Sequence, residues 1–330
     1  VARLAGVSFK TVSNVLNDHP QVRDTTRERV LAAVNELGYR RNLTARNLRM
    51  GRSGAISLAV PELSQSFFAQ LADDVIQVAA KKDLVVLVEQ TGGDRERELE
   101  VLRSPRLAQT DGLLFSPLGL RPEDARPELL ATPTVVLGEP LFAGPVDHVT
   151  MQHRAAARAA TEHLLGIGRR RIVLLGAHDG ETATVADLRH SGYREALHDA
   201  GVALDPALVV PIDVWSRPNG ARAMAALMDT GAEFDAVFAM NDDLALGALR
   251  SLQERGVRVP QDVALMGFDD ISDAQFSFPS LTTVEPGRHE IARLAVEYLV
   301  ERVGEADAGP VPARTTAPDF RLVVRESTTR

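Results

Sequence analysis

Near the start of the chain, apolar positions fall at helical spacing. Val12, Val15 and Leu16 share one face of residues 9–17, and the other face carries Lys10, Thr11, Ser13, Asn14 and Asn17. Residues 1–5 are helix-compatible, and Gly6-Val7-Ser8 then breaks the pattern. The glycine permits a tight turn, and Ser8 suits the N-cap of the helix after it. A third helix is expected from Thr25, with Glu28 completing a T-x-x-E capping box. Val30, Ala33, Val34 and Leu37 form its buried stripe, and Gly38 stands just past its end. Three short helices, one presenting a polar and basic face directly after a glycine turn, read as a helix-turn-helix. Its short or flexible hydrogen-bonding side chains suit base edges and phosphates.

From Ala55 the pattern changes. Ala55–Val60, residues 84–89, 112–115 and Thr134–Leu137 are apolar, β-branched runs separated by helical segments, and residues 171–176, 208–212, 236–240 and 263–267 repeat the plan. Buried parallel strands with crossover helices are the expected result, and two sets of them predict two doubly wound parallel-sheet subdomains. The fold class is therefore an all-α helix-turn-helix headpiece followed by an α/β body. Between the two, residues 43–51 are basic and contain no acid. Such a segment makes about two helical turns and forms only against a partner.

Composition sharpens this division. The 330 residues suffice for two or three domains. Residues 1–53 hold ten Lys and Arg against four Asp and Glu, whereas the remainder holds 27 against 41. A basic head on an acidic body implies that the head meets a polyanion and the body does not. Without cysteine there is no disulfide framework, thiolate metal site or cysteine nucleophile. The apolar runs are too short to cross a bilayer and no basic-then-apolar leader opens the chain, so a cytoplasmic protein is expected. The start at Val1-Ala2-Arg3, without Met and already in helical register, suggests that a few native residues precede it.

Enzyme readings are weak, and neither a metal nor a cofactor is expected. The chain has no G-x-x-x-x-G-K-[ST], G-x-S-x-G or H-E-x-x-H, and its eight histidines lack metal-ligand spacing. In doubly wound sheets, ligands sit at the carboxyl ends of the strands. That rule singles out residues 61–68, Ser116-Pro117, Asp187-Leu188-Arg189, Trp215, Asn241-Asp242 and Asp269-Asp270. Carboxylate, amide and guanidinium groups around an aromatic ring suit a polyol. The polar ends bracket hydroxyls, and the ring packs on the C–H face of a sugar. Asp242 and Asp270 are read as helix caps and set aside.

The order of several motifs resembles the lactose-repressor/galactose-repressor family. They are Val1-Ala2-Arg3-Leu4-Ala5-Gly6-Val7-Ser8, Thr11-Val12-Ser13, Val15-Leu16-Asn17, Asn42…Ala45-Arg46-Leu48, Asn241-Asp242, Ala245-Leu246-Gly247, Gly267-Phe268-Asp269-Asp270 and Pro279…Leu281-Thr282-Thr283-Val284. The resemblance runs through the whole chain. It implies a transcriptional repressor with a periplasmic-binding-protein type body, controlled by a small polar metabolite, most simply a sugar. A purine or nucleoside effector is the alternative, and a solute-binding protein for sugar uptake is the alternative from another class. The implied boundaries are a headpiece at 1–41, a hinge at 42–53, an N-subdomain at 54–150 with 287–312, and a C-subdomain at 151–285 with 313–330. The crossings then lie near Met151, Glu285 and Pro312.

The resemblance also carries roles. Ser8, Phe9, Lys10, Thr11, Ser13, Asn14 and Asn17 would meet DNA in the major groove. Asn42, Ala45, Arg46, Leu48 and Arg49 would meet it at the hinge, with Leu48 wedged into the minor groove. Asn14 stands where Arg is common, and favours adenine over guanine contacts. Phe67, Phe68, Arg189, Trp215, Asn241 and Asp269 would contact the effector. Gly138 stands where sugar-binding relatives often have an acid, and Glu139 is adjacent. The implied partners are a near-palindromic double-stranded operator, the effector and a second copy of the chain. No heptads follow residues 316–324, which points to a dimer rather than a tetramer.

Overall fold

The computed structural model describes residues 1–16, 19–38, 52–142, 146–178, 185–305 and 312–329, in two units, Val1–Gly54 and Ala55–Arg330. In the first unit, α1 (Phe9–Leu16) and α2 (Asp24–Glu36) bury Val12, Val15, Val30 and Ala33 against Ala5. Residues 1–5 close a turn, with Ala5 N–H on Val1 O at 2.9 Å, rather than a helix. Helix α2 starts at Asp24, one residue earlier than expected. Arg23 stands at its N-cap without a side-chain hydrogen bond, so the Thr25–Glu28 capping box does not form. Asp24 sits in the first turn instead, where its charge complements the helix dipole. Leu37 is exposed rather than part of the buried stripe, and Gly38 leaves the helix at φ +55°.

The second unit contains the two expected parallel sheets. In the N-lobe, strands β1 (Ala55–Val60), β2 (Val85–Gln90), β3 (Leu113–Phe115), β4 (Thr134–Leu137), β5 (Asp147–Val149) and β11 (Thr315–Thr316) lie in the order β11-β5-β4-β3-β1-β2. Helices α3 (Ser66–Ala80) and α10 (Arg288–Glu305) cover one face through Leu71, Val75, Ile291 and Leu299. Helix α4 (Arg95–Arg103) and the following loops cover the other. In the C-lobe, β6 (Ile172–Ala177), β7 (Val209–Pro211), β8 (Ala236–Ala239) and β9 (Ala264–Met266) lie in the order β7-β6-β8-β9. Helices α5 (His153–Gly166) and α6 (Val185–Asp199) pack on one face, and α7 (Arg217–Asp229), α8 (Asp242–Glu254) and the short α9 (Ser272–Phe276) on the other. Gly220 and Gly247 let α7 and α8 touch, since a Cβ on either would collide with facing backbone. Close contact brings the N-termini of both helices side by side at the cleft.

Three features depart from expectation. Strand β2 is an edge, and its Val85, Leu87 and Val88 are exposed rather than buried. A two-stranded antiparallel ribbon, β10 (Thr283–Glu285) with β12 (Arg321–Val323), joins the parallel sheets. The third crossing lies at residues 317–320, later than Pro312, because Thr315 and Thr316 pair with β5 in the N-lobe before the chain returns to β10. Asp147, fully buried on β5, anchors this return. It accepts hydrogen bonds from Arg302 Nε at 2.9 Å, Arg314 N at 2.8 Å and Arg314 Nη2 at 2.8 Å.

Candidate functional site

In the headpiece, Ser8 performs its expected cap, its Oγ accepting from Thr11 N–H at 3.1 Å and sharing a hydrogen bond with Thr11 Oγ1 at 2.8 Å. With Val12 and Val15 turned inward, Phe9 and Lys10 are exposed, and Thr11, Ser13 and Asn14 are half-buried. Asn17, Asn42, Ala45, Arg46, Leu48 and Arg49 lie outside the described residues. The described part of α1 is a short polar ridge of a size that enters a major groove.

The cleft forms where the two sheets turn their carboxyl ends toward each other. Arg189, on the first turns of α6, is buried on its C-lobe side. Its Nε donates to His153 Nδ1 at 3.3 Å and its Nη1 to the Met240 carbonyl. The guanidinium lies 3.5 Å from the Phe268 ring centroid and 5.4 Å from that of Trp215. Trp215 is itself held by Nε1 donating to Gly176 O at 3.0 Å. Asp269, directly after Phe268, has φ +112°, a left-handed conformation that costs a non-glycine residue on the order of 1–3 kcal/mol. Its carboxylate stands 3.8 Å from Arg189 Nη2, and among the described residues no protein donor hydrogen-bonds it. The strain therefore positions an open acceptor beside a partly committed donor.

Asn241 and the Phe67-Phe68 pair complete the expected set. Asn241 caps α8, its Oδ1 accepting from Leu244 N–H at 2.8 Å. Phe67 and Phe68 meet edge to face at 5.4 Å at the start of α3, and Phe67 packs against the cores of both lobes. The readings of Asp242 and Asp270 as caps are corrected. Asp242 is fully buried and accepts from Thr283 Oγ1 at 2.6 Å and Ile271 N–H at 2.9 Å, while Asp270 pairs with Arg325 at 2.6 Å.

Sequence reasoning missed several groups here. His153 lies two residues after the first crossing, a position that alone marks it as a cleft residue. Phe268, inside Gly267-Phe268-Asp269-Asp270, carries no polar group that marks it in the sequence. Arg217, at the start of α7, pairs with Asp243 at 2.7 Å and Asp273 at 2.9 Å and donates to Ser66 Oγ at 3.2 Å across the cleft mouth, where Gln70 Nε2 also donates to Ser272 Oγ at 3.3 Å. Only the folded chain brings these together.

Burial dominates the electrostatics. It pulls Arg189 down to about 10, still protonated at neutral pH, and pushes Asp269 up to about 7, with Arg189 opposing the shift. Burial, with Asp269 adding to it, also raises Asp242 well above the carboxylate range. A raised acid binds its proton more tightly in the folded than in the unfolded chain. Its stabilising contribution is therefore complete below about pH 4 and is lost as pH rises toward 7. Stability of the body is thus expected to fall by a few kcal/mol between about pH 4 and 7, and Asp269→Asn should flatten that slope. Urea unfolding at several pH values measures it, and an equal slope in the variant would contradict the assignment.

Among the described residues, no helix is long and apolar enough to cross a membrane, and no group of three His, Asp or Glu is placed to hold a metal ion.

Residues 1–42 match the bacterial regulatory proteins of the lacI family, and residues 161–328 match the periplasmic binding protein-like domain. The ribose operon repressor of Haemophilus influenzae is 32% identical over 327 residues, covering 99% of this chain and 97% of that protein. The chain belongs to the lacI family. It is accordingly a sequence-specific DNA-binding transcriptional regulator. Among solved structures, a LacI-family protein from Sanguibacter keddieii is 68% identical, covering 84% of this chain and 99% of its own, with a TM-score of 0.79. The complex of the transcriptional regulator CelR with cellobiose is 31% identical over 99% of this chain and 98% of that one, with a TM-score of 0.71. Members of the lacI family thus share both the headpiece and the two-lobed body seen here.

Proposed function

We propose that this LacI-family chain is a cytoplasmic repressor, not an enzyme, whose operator affinity is set by a neutral polyol, most simply a sugar, bound in the cleft. The observation that carries the reading is Arg189, stacked on Phe268 with Trp215 5.4 Å away and set beside the strained side chain of Asp269, which no protein donor among the described residues hydrogen-bonds. A donor and an acceptor next to an aromatic face match a hydroxylated ring. The cellobiose bound by CelR supports the same class. Phe67, Phe68 and Asn241 line the rest of the site. A thermal-shift screen with glucose, ribose, cellobiose, adenosine and hypoxanthine tests this. A ligand at 100 times its Kd adds about 2.7 kcal/mol of stability. A shift with hypoxanthine or adenosine and none with the sugars would favour the purine reading instead.

DNA is met by α1, and at the hinge by Asn42, Ala45, Arg46, Leu48 and Arg49. The operator is a near-palindrome read by a homodimer. Exposed Ile76, Val85 and Leu87 in the N-lobe and Phe276 and Phe278 in the C-lobe supply apolar surface for a second copy. Selection of bound fragments from random DNA should recover two inverted half-sites. Lys10→Ala should weaken binding to all sequences about equally and reduce the slope of log affinity against log salt by about two, one for each headpiece of the dimer. An unaltered slope would remove Lys10 from the interface.

A further inference from the structure

Asp269 and Asp270 both have positive φ, +112° and +49°. Two successive non-glycine residues hold such angles only where their surroundings over-determine them. Asp269 N–H donates to Val284 O at 2.8 Å, which ties the start of the pair to β10, and Asp270 N–H reaches Thr283 Oγ1 at 3.4 Å. The other constraint is a charge. Asp270 Oδ1 accepts from Arg325 Nη2 at 2.6 Å, and both side chains are largely buried.

Arg325 is itself held by the segment around it. Its backbone N–H donates to Thr282 Oγ1 at 2.8 Å, and its Nη1 donates to Leu281 O at 2.8 Å. The Thr282 hydroxyl shares a hydrogen bond with Thr328 Oγ1 at 2.8 Å, and Thr328 Oγ1 shares one with His163 Nε2 of α5 at 2.9 Å. Ser327, fully buried, accepts from Thr282 N–H at 2.7 Å and donates to Leu265 O at 2.6 Å. Residues 325–328 are thereby fastened to the C-lobe sheet, and one guanidinium reaches from them to the residue after Asp269. Its planar fork spans the Leu281 carbonyl and the Asp270 carboxylate, so it fixes one against the other. The direction of a side chain follows from its own backbone angles. Return of this pair to negative φ would therefore swing the Asp269 carboxylate from its place 3.8 Å from Arg189 Nη2.

We propose that Arg325 is a positioning residue of the effector site: by clamping Asp270 it holds the strained backbone that aims the Asp269 carboxylate into the cleft. Arg325 touches no effector and acts only through Asp270. The role rests on the polyol reading of the cleft, in which Asp269 accepts from the effector, and it extends that site to a segment 55 residues further along the chain. It also gives the buried hydroxyls of Thr282, Ser327 and Thr328 a common task, which is to keep the base of the clamp from moving.

The full chain and its Arg325→Ala, Arg325→Lys, Asp270→Ala and Asp270→Gly variants are titrated calorimetrically with glucose, ribose and cellobiose, at a temperature where each is folded. For each sugar that binds the unaltered chain, Arg325→Ala and Asp270→Ala should each weaken affinity roughly fivefold to a hundredfold, the factor by which released strain depletes the competent conformation. Combining the two should weaken it no further than Asp270→Ala alone. Arg325→Lys keeps the charge without the fork and should fall between; it carries the same comparison if Arg325→Ala does not fold. Asp270→Gly loses the ion pair as fully as Asp270→Ala, but glycine takes positive φ without strain, so its affinity should lie closer to that of the unaltered chain. Unchanged affinity in both Arg325 variants overturns the role while leaving the polyol reading standing. Equal losses in Asp270→Gly and Asp270→Ala, or additive losses in the double variant, mark a merely structural ion pair and overturn it as well. Failure of all three sugars to bind the unaltered chain overturns the polyol reading, and the role of Arg325 with it.

Discussion

Arg189→Ala is expected to abolish the response of operator binding to effector while leaving effector-free operator affinity nearly unchanged. The guanidinium is buried, stacked on Phe268, and tied to His153 and the Met240 carbonyl. Its removal deletes the cleft's C-lobe donor and leaves the Asp269 carboxylate without its cation. Charged hydrogen bonds contribute about 1.5–3 kcal/mol each. Losing two of them to a ligand weakens binding by about a hundredfold or more. A ligand shifts the lobes only through its difference in affinity between their arrangements, so this loss reaches the operator as a lost response. Arg189→Lys keeps the charge but not the planar fork or the stacking, and should fail almost as completely. Operator titration at increasing sugar measures both. An unchanged effector midpoint in Arg189→Ala would move the binding site elsewhere in the body.

Asp147→Ala should cost about 3–5 kcal/mol of stability, the usual penalty for breaking one side of a buried ion pair. The carboxylate is fully buried, which pushes its pKa up. Hydrogen bonds from Arg302 and Arg314 overcome that and hold it at about 2. Arg302 is nearly as buried, so removing Asp147 strands a desolvated cation. Arg314 also lies 3.7 Å from the Tyr298 ring centroid and directly precedes β11. The edge strand and the third crossing should loosen with it. Because the folded pKa is depressed, the contribution is complete above about pH 4 and is lost as pH falls toward 2. Urea unfolding at neutral pH gives the value. A loss below about 1 kcal/mol would show that packing alone holds the crossing.

Local signals were the legible ones. The Ser8 cap, the inward Val12 and Val15, and the apolar runs of β1, β4 and β8 each depend on neighbours a few residues away, and they fold as read. The Thr25–Glu28 box was an equally local pattern, and it lost to a helix starting at Asp24. A charge in the first turn there competes with a side-chain cap. Strands β5, β10, β11 and β12 are two or three residues long, and their pairing joins segments distant in the chain, so no period marks them. In the cleft, polar groups at strand ends were predictable from topology. The burial of Asp242 and the linkage of His153 to both Arg189 and Glu139 were not, because each depends on three separated segments meeting.

Three crossings between the lobes also constrain how the body is made. The N-lobe sheet begins at Ala55, yet α10 supplies Ile291, Ala295 and Leu299 to its core, and β11 is its last edge. The C-lobe likewise ends on β12. On the ribosome, the first lobe therefore waits with one apolar face covered by α3 alone while the whole second sheet is synthesised. Neither lobe is complete until residues 288–323 emerge. A message cut short before that point yields no half-repressor able to occupy an operator with a finished body, only a chain with exposed core for proteases to remove.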